Sequence, residues 1–226
     1  MPKINKDSTL NITFVGIGLC LLCSAIISFI AIQLRSVQEN NVVLDMQKKI
    51  VSSAGLDEVY GSVENAMSNI KTLIIDLDRG EIVDINPDTY ELSKELREDG
   101  KYKFLSAEED VASIKKREKY SKVYIEYKDN EINTLILPVR GYGLWGILYG
   151  YLAIEGDFNT VAGLEFYEHK ETPGLGAEID NPKWKALWKG KKIYQENGEV
   201  SLKVIKGSVM KTCLLYTSPS PRDKRL

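Results

Sequence analysis

From Leu10 to Leu34 the chain runs for 25 residues without an Asp, Glu, Lys, Arg or His. At 1.5 Å per residue such a helix is longer than the ~30 Å hydrocarbon core of a bilayer, so the stretch reads as a transmembrane helix. A cleaved signal peptide is the rival reading. Its apolar region spans only ~7 to 15 residues, and its cleavage site needs small residues that Phe29, Ile30 and Ile32 do not supply. Gly16, Cys20, Ser24 and Ser28 recur every fourth residue and line one helical face with small side chains. That pattern suits a close helical partner, although small residues are common in membrane helices generally. Lys3 and Lys6 on one side oppose Arg35, Lys48 and Lys49 on the other, so charge does not set the orientation.

Beyond the anchor enough chain remains for one main domain. With 30 basic and 32 acidic residues, no global field gathers nucleic acid or an anionic surface, and the Lys189, Lys191, Lys192 cluster reads as a solvated turn. Cys20 and Cys23 have redox spacing but sit in the apolar run, where thiolates are not activated, so packing is the expected role. No cysteine lies between Leu34 and Cys213, and the domain can occupy an oxidising compartment without disulfide chemistry. His169 is the only histidine, which excludes a histidine pair and any zinc site built on more than one histidine. Neither a Gly-Lys-Ser/Thr phosphate loop nor a Gly-x-Gly-x-x-Gly fingerprint is present. No catalytic residue and no metal ligand is assigned.

The approximate helical spacing of Val43, Met46, Ile50 and Val51 predicts that the helix continues outward as a stalk as far as Gly55. Lys71 to Asp78, the turn Arg79-Gly80, and Ile82-Val83 read as a hairpin. Ser106 and Glu109 have capping-box spacing and predict a helix from Ala107 to Arg117. Strands are expected at Lys122 to Tyr127 and Thr134 to Val139, joined through Lys128-Asp129-Asn130, and at Tyr149 to Glu155, Val161 to Glu168 and Ser201 to Ile205. Asn181-Pro182 supplies an N-cap and a first-turn proline for a helix carrying Trp184 and Trp188 one turn apart, both expected in the core or at a docking face. Strand pairs broken by short helices, without regular βαβ alternation, predict an α+β domain with a largely antiparallel sheet.

Two glycine-bearing segments stand out. Gly141 and Gly143 bracket Tyr142 just after a strand, and Gly174 and Gly176 bracket Leu175 after Pro173. A backbone without Cβ atoms can turn tightly, lie against a planar ring or converge its N–H groups on a ligand oxygen, although two ordinary turns would look the same. The order Leu137-Pro138-Val139-Arg140-Gly141-Tyr142-Gly143-Leu144-Trp145, then Gly163 to Glu168, Glu171-Thr172-Pro173-Gly174-Leu175-Gly176, Asn181-Pro182-Lys183-Trp184 and Trp188-Lys189-Gly190-Lys191 resembles the C subunit of the bacterial sodium-translocating NADH:quinone oxidoreductase. The likeness runs from the anchor to about Val209. Glu-Thr-Pro-Gly-Leu-Gly is shared with the G subunit of Rnf-type ferredoxin:NAD complexes; the Trp184 and Trp188 segment and Gly143-Leu144-Trp145 favour the quinone reductase.

The resemblance implies FMN joined through its phosphate to a threonine by a flavin transferase, on an electron-carrying subunit that works with other integral membrane subunits in quinone reduction coupled to sodium export. It places the main domain on the periplasmic side of the inner membrane and marks Gly141, Gly143, Leu144, Trp145, Glu171, Thr172, Gly174, Leu175 and Gly176 as cofactor-binding. It divides the chain into a cytoplasmic tail (1–9), the membrane helix (10–34), a stalk with a helical entry (35–69), an incomplete FMN-binding domain (70–209) and a tail (210–226). The family's attachment threonine lies in a Ser-Gly-Ala-Thr run, which this sequence lacks. Thr212 and Thr217 lie nearby without that motif. Cys213 to Asp223 resembles, codon for codon, a translated transposase adapter of sequencing libraries, so the tail is expected to be non-native and the domain truncated. From a different class, a membrane-tethered adaptor domain without cofactor has the same outline, but only nine residues precede Leu10 to serve as a cytoplasmic output.

Overall fold

The computed structural model describes residues 8–205 and 217–219. Helix α1, Thr9–Ser53, contains the whole apolar run and is long and apolar enough to cross a membrane. The chain forms two units, residues 1–45 and 46–226. Within the first, the apolar side chains of α1 are exposed along its length, as a lipid-facing surface requires.

In the second unit, the last turns of α1 lead into α2 (Leu56–Tyr60) and α3 (Val63–Ser68). Ser62 caps α3 by accepting from the Asn65 amide. A six-stranded sheet follows, built from β1 (Ile70–Asp76), β2 (Glu81–Val83), β5 (Tyr120–Lys128), β6 (Glu131–Tyr142), β7 (Ile147–Glu155) and β8 (Val161–Glu168). Its order is β2-β1-β5-β6-β7-β8, antiparallel throughout. The α+β class with an antiparallel sheet is thus what the chain adopts. Asp129 and Asn130 both take positive φ (53° and 65°) at the β5–β6 turn, a conformation that Asp and Asn tolerate and that matches the strand twist.

Side-chain alternation gives the sheet two apolar faces. One packs Tyr124, Ile136, Tyr151 and Ala153 against Ile50 and Val51 of α1, Leu56 of α2 and Ala66 of α3. On the other, Leu164, Leu152 and Phe166 meet Ile179 and the two tryptophans, with α5 (Pro182–Lys185) capped by the Asn181 carboxamide. Trp184 is buried and its ring meets Trp188 edge-on at 5.4 Å, the core role expected of the pair, but the expected helix stops at Lys185 and leaves Trp188 in the turn that follows. Gly163 is where the end of α1 touches β8: a Cβ there would lie 2.3 Å from the Ser53 carbonyl oxygen, so only glycine permits the contact. Beside it the buried Glu165 accepts from Lys185 Nζ at 2.5 and 2.6 Å and from Lys49 Nζ at 3.3 Å, which fastens α1 and α5 to the same strand.

Three other expectations change. The helix from Ala107 to Arg117 does not form, although its capping box does: the Ser106 amide donates to Glu109 and the Glu109 amide to the Ser106 hydroxyl. Lys103, with Ser106, holds the Glu109 carboxyl down at about 2. Asp110 then ends the turn by accepting from the amides of Ile114 and Lys115, and Ser113 and Lys115 enter the left-handed region. Val111 is 92% exposed, so the segment has no apolar stripe to bury, which a helix needs more than a cap. Its end instead becomes β4 (Lys116–Glu118), paired with β3 (Tyr102–Phe104) after the short α4 (Leu92–Glu95). The second change is at the lysine cluster, which is more than a solvated turn: residues 190–193 bond along the start of β8, and Lys192 binds Asp157 at 2.6 Å, covering an edge strand. The last strand is shorter than expected, with β9 (Lys203–Ile205) paired in parallel to β10 (Thr217–Pro219). The tail's other residues, with Thr212, lie outside the described ones.

Candidate functional site

The antiparallel order delivers both glycine segments to one end of the sheet. Tyr142 is opposite Ile147 across the β6–β7 turn, and Tyr149 of β7 is opposite Glu168, the last residue of β8. Residues 143–146 and 169–176 therefore leave neighbouring strand ends. The first loop is closed by the Gly143 amide donating to the Gly146 carbonyl at 2.7 Å, and it is braced from the side by the Tyr142 amide on the Ala112 carbonyl at 2.8 Å.

One carboxylate joins the two loops. Glu171 Oε1 accepts from the amides of Leu144 (2.7 Å) and Trp145 (3.0 Å), and the residue is only 9% exposed. A Cβ on Gly143 would lie 2.4 Å from Oε1, and a Cβ on Gly176 2.2 Å from Oε2. These two glycines clear the space in which the carboxylate sits. Behind it, His169 Nδ1 accepts from the Glu171 amide at 3.2 Å, so the ring proton resides on Nε2, which donates to Asp180 at 2.7 Å.

Gly174 differs from Gly143 and Gly176. Its φ of +72° requires glycine for conformational reasons, and the space where a Cβ would project is open. The amides of Leu175 and Ala177 both turn back onto the Thr172 carbonyl, at 3.1 and 3.2 Å. Among the described residues no hydrogen bond takes up the Gly174 amide or the Thr172 hydroxyl. Around these donors Tyr142, Leu144, Trp145 and Leu175 are each more than half exposed, an apolar ledge carried on two loops that are themselves pinned. Gly141 lies one step back along β6, where a Cβ would meet Ala112 at ordinary contact distance, so nothing in its surroundings demands glycine.

The clamp role of Glu171 and the His169–Asp180 pair behind it escape a reading of the sequence. A glutamate followed five residues later by a glycine is the only trace they leave.

A family model for the FMN-binding domain matches residues 143–208, beginning at the first of the two loops. The C subunit of the Na(+)-translocating NADH-quinone reductase of Pseudomonas aeruginosa is 46% identical over 210 residues, covering 91% of this chain and 80% of its own length. The chain belongs to this C-subunit family. The corresponding subunit of Vibrio anguillarum is 41% identical over 203 residues. The crystal structure of NqrC from Shewanella oneidensis matches the fold seen here with a TM-score of 0.69 at 27% identity, over 79% of this chain and 84% of that one. The C subunit from Parabacteroides distasonis matches with 0.59 at 28% identity, over 82% and 83%.

In this C-subunit domain the strands behind the loops are stiffened by buried polar groups. Arg140 binds Glu118 and donates to the Lys116 carbonyl at 2.8 Å, tying the β3–β4 ribbon to the main sheet. The rings of Tyr149, Tyr167, Tyr151 and Tyr124 follow one another at centroid spacings of 6.0, 4.9 and 5.8 Å. Burial pushes the Tyr151 and Tyr167 hydroxyls above their ordinary pKa, with Tyr124 and Glu168 respectively adding to it, so these phenols stay neutral.

Proposed function

We propose that this chain is the FMN-carrying subunit of a membrane NADH:quinone oxidoreductase whose turnover is coupled to sodium export. The observation that carries the reading is the pair of loops laced by Glu171, which presents an apolar ledge beside unclaimed donors at Thr172 and Gly174. A flavin mononucleotide needs both features: a flat apolar surface for its ring system, and donors for its oxygens where the backbone can approach closely. Leu144, Trp145 and Leu175 would cover the ring; the Thr172 hydroxyl and the Gly174 amide would hold ligand oxygens. When bound, FMN supplies a carrier that takes and gives single electrons. Glu171 does not face the ligand with its Oε1, which is used on backbone amides; Gly143 and Gly176 serve the site by making room for that carboxylate.

In this reading α1 anchors the protein in the inner membrane beside other integral subunits, with residues 1–9 in the cytoplasm and the domain on the periplasmic side. The native coding sequence continues past Val209 into a Ser-Gly-Ala-Thr segment, where a flavin transferase attaches the FMN phosphate to threonine. The adapter-like stretch from Cys213 to Asp223 supports that boundary.

Two results are expected. Gly174→Val places a β-branched residue at positive φ and fills the open approach. It should lower the flavin-to-protein absorbance ratio severalfold while leaving the protein in the membrane fraction; unchanged flavin content would count against the assignment. A reporter fused after Glu199 should be active only if it functions in the periplasm, and activity confined to a cytoplasmic reporter would contradict the orientation.

A further inference from the structure

Among the described residues, no cation compensates the carboxylate of Glu171. Three of the other buried carboxylates meet a cation, Glu165 with Lys49 and Lys185, Glu118 with Arg140 and Glu95 with Lys101, whereas Asp76 and Glu126, like Glu171, are held by uncharged donors. Among the described residues no lysine or arginine pairs with Glu171. His169 accepts from the Glu171 amide through Nδ1 and spends its ring proton on Asp180. The stem of the exposed Lys170 lies along Gly146, without an ion pair to the carboxylate. A neutral amide oxygen could accept the same two N–H groups, and burying an unpaired charge carries a desolvation cost that bracing alone does not require.

We propose that Glu171 is a positioning and tuning residue: it fixes the two loops through Oε1, and its negative charge beside the ledge lowers the reduction potential of the flavin. The proposal rests on the reading that FMN occupies this ledge. When the flavin takes one electron from a reductant without a proton, its charge becomes one unit more negative and no protein group is oxidised. A fixed anion in a partly buried site opposes that change. The amide dipoles of Leu144 and Trp145 offset part of the field, and what is left at an effective dielectric of ~20 amounts to about tenfold in the one-electron equilibrium.

The test is a spectroelectrochemical titration with dithionite on the full-length flavinylated protein, with amide exchange measured on the flavin-free form. Glu171→Gln keeps the acceptor oxygen and removes the charge. It should shift the first one-electron equilibrium about tenfold toward reduction, about 59 mV upward, while exchange at Leu144 and Trp145 stays slow. Lys170→Glu, which leaves the clamp intact, should move the potential the other way. Glu171→Ala should accelerate exchange at both amides. A Gln variant with unchanged potential overturns the proposal, as does a shift accompanied by fast exchange at Leu144 and Trp145, which would trace it to loosened loops. If the Gln variant loses its flavin, Lys170→Glu decides, and an unchanged potential there overturns the tuning role. Absence of flavin from the unsubstituted protein overturns the reading beneath it.

Discussion

Gly143→Ala is expected to empty the site. The added methyl would stand 2.4 Å from Glu171 Oε1, 3.1 Å from Leu148 Cδ2 and 3.2 Å from the Gly146 carbonyl oxygen. A carboxylate at the end of a side chain usually swings away at little cost, but this one is held by two amides and is almost wholly buried. Displacing it breaks two charge-assisted hydrogen bonds, each worth ~1.5–3 kcal/mol, and leaves the Leu144 and Trp145 amides to water. With partial relaxation the domain should lose roughly 2–4 kcal/mol, and a melting temperature should fall by about 2–4 °C for each of them. Flavin content should fall at least tenfold, because the ledge depends on the loops being joined. Gly141→Ala is the control: its methyl meets Ala112 at 3.8–3.9 Å, an ordinary contact, and both readouts should stay near those of the unsubstituted protein. Full flavin occupancy in the Gly143 variant would show that the clamp does not build the site.

The contrast between these two glycines marks the limit of what the residues reveal in one dimension. Strand positions were legible because Val, Ile and Tyr alternate along β5 to β8, and turns because Asp129-Asn130 and Arg79-Gly80 allow few other conformations. Asn181-Pro182 announced its helix start because cap and proline act within three residues. At Ser106 the same local logic failed: the cap formed, but no apolar face followed, and Asp110 offered the backbone a competing set of bonds. Which glycine serves a turn, a ligand or a neighbouring side chain is a tertiary fact. Gly143 and Gly176 answer to a carboxylate that is 28 residues away from one and five from the other, and only the sheet order brings the three together.

The 226-residue chain should remain without covalent flavin even when coexpressed with the flavin transferase and supplied with its FAD donor. In the proposed attachment, bond formation needs a threonine hydroxyl presented in its recognised context and held against the ledge, and such placement accounts for orders of magnitude in rate. Thr212 and Thr217 offer a hydroxyl without the Ser-Gly-Ala-Thr surroundings. Extending the chain past Val209 with the proposed Ser-Gly-Ala-Thr segment should reverse the outcome completely. Ultraviolet illumination of a denaturing gel reads both chains side by side. The account predicts a fluorescent band for the extended protein, mapping to the threonine of its Ser-Gly-Ala-Thr segment, and a dark band for the 226-residue chain; a dark extended protein, or fluorescence mapping to Thr212 or Thr217, would contradict it.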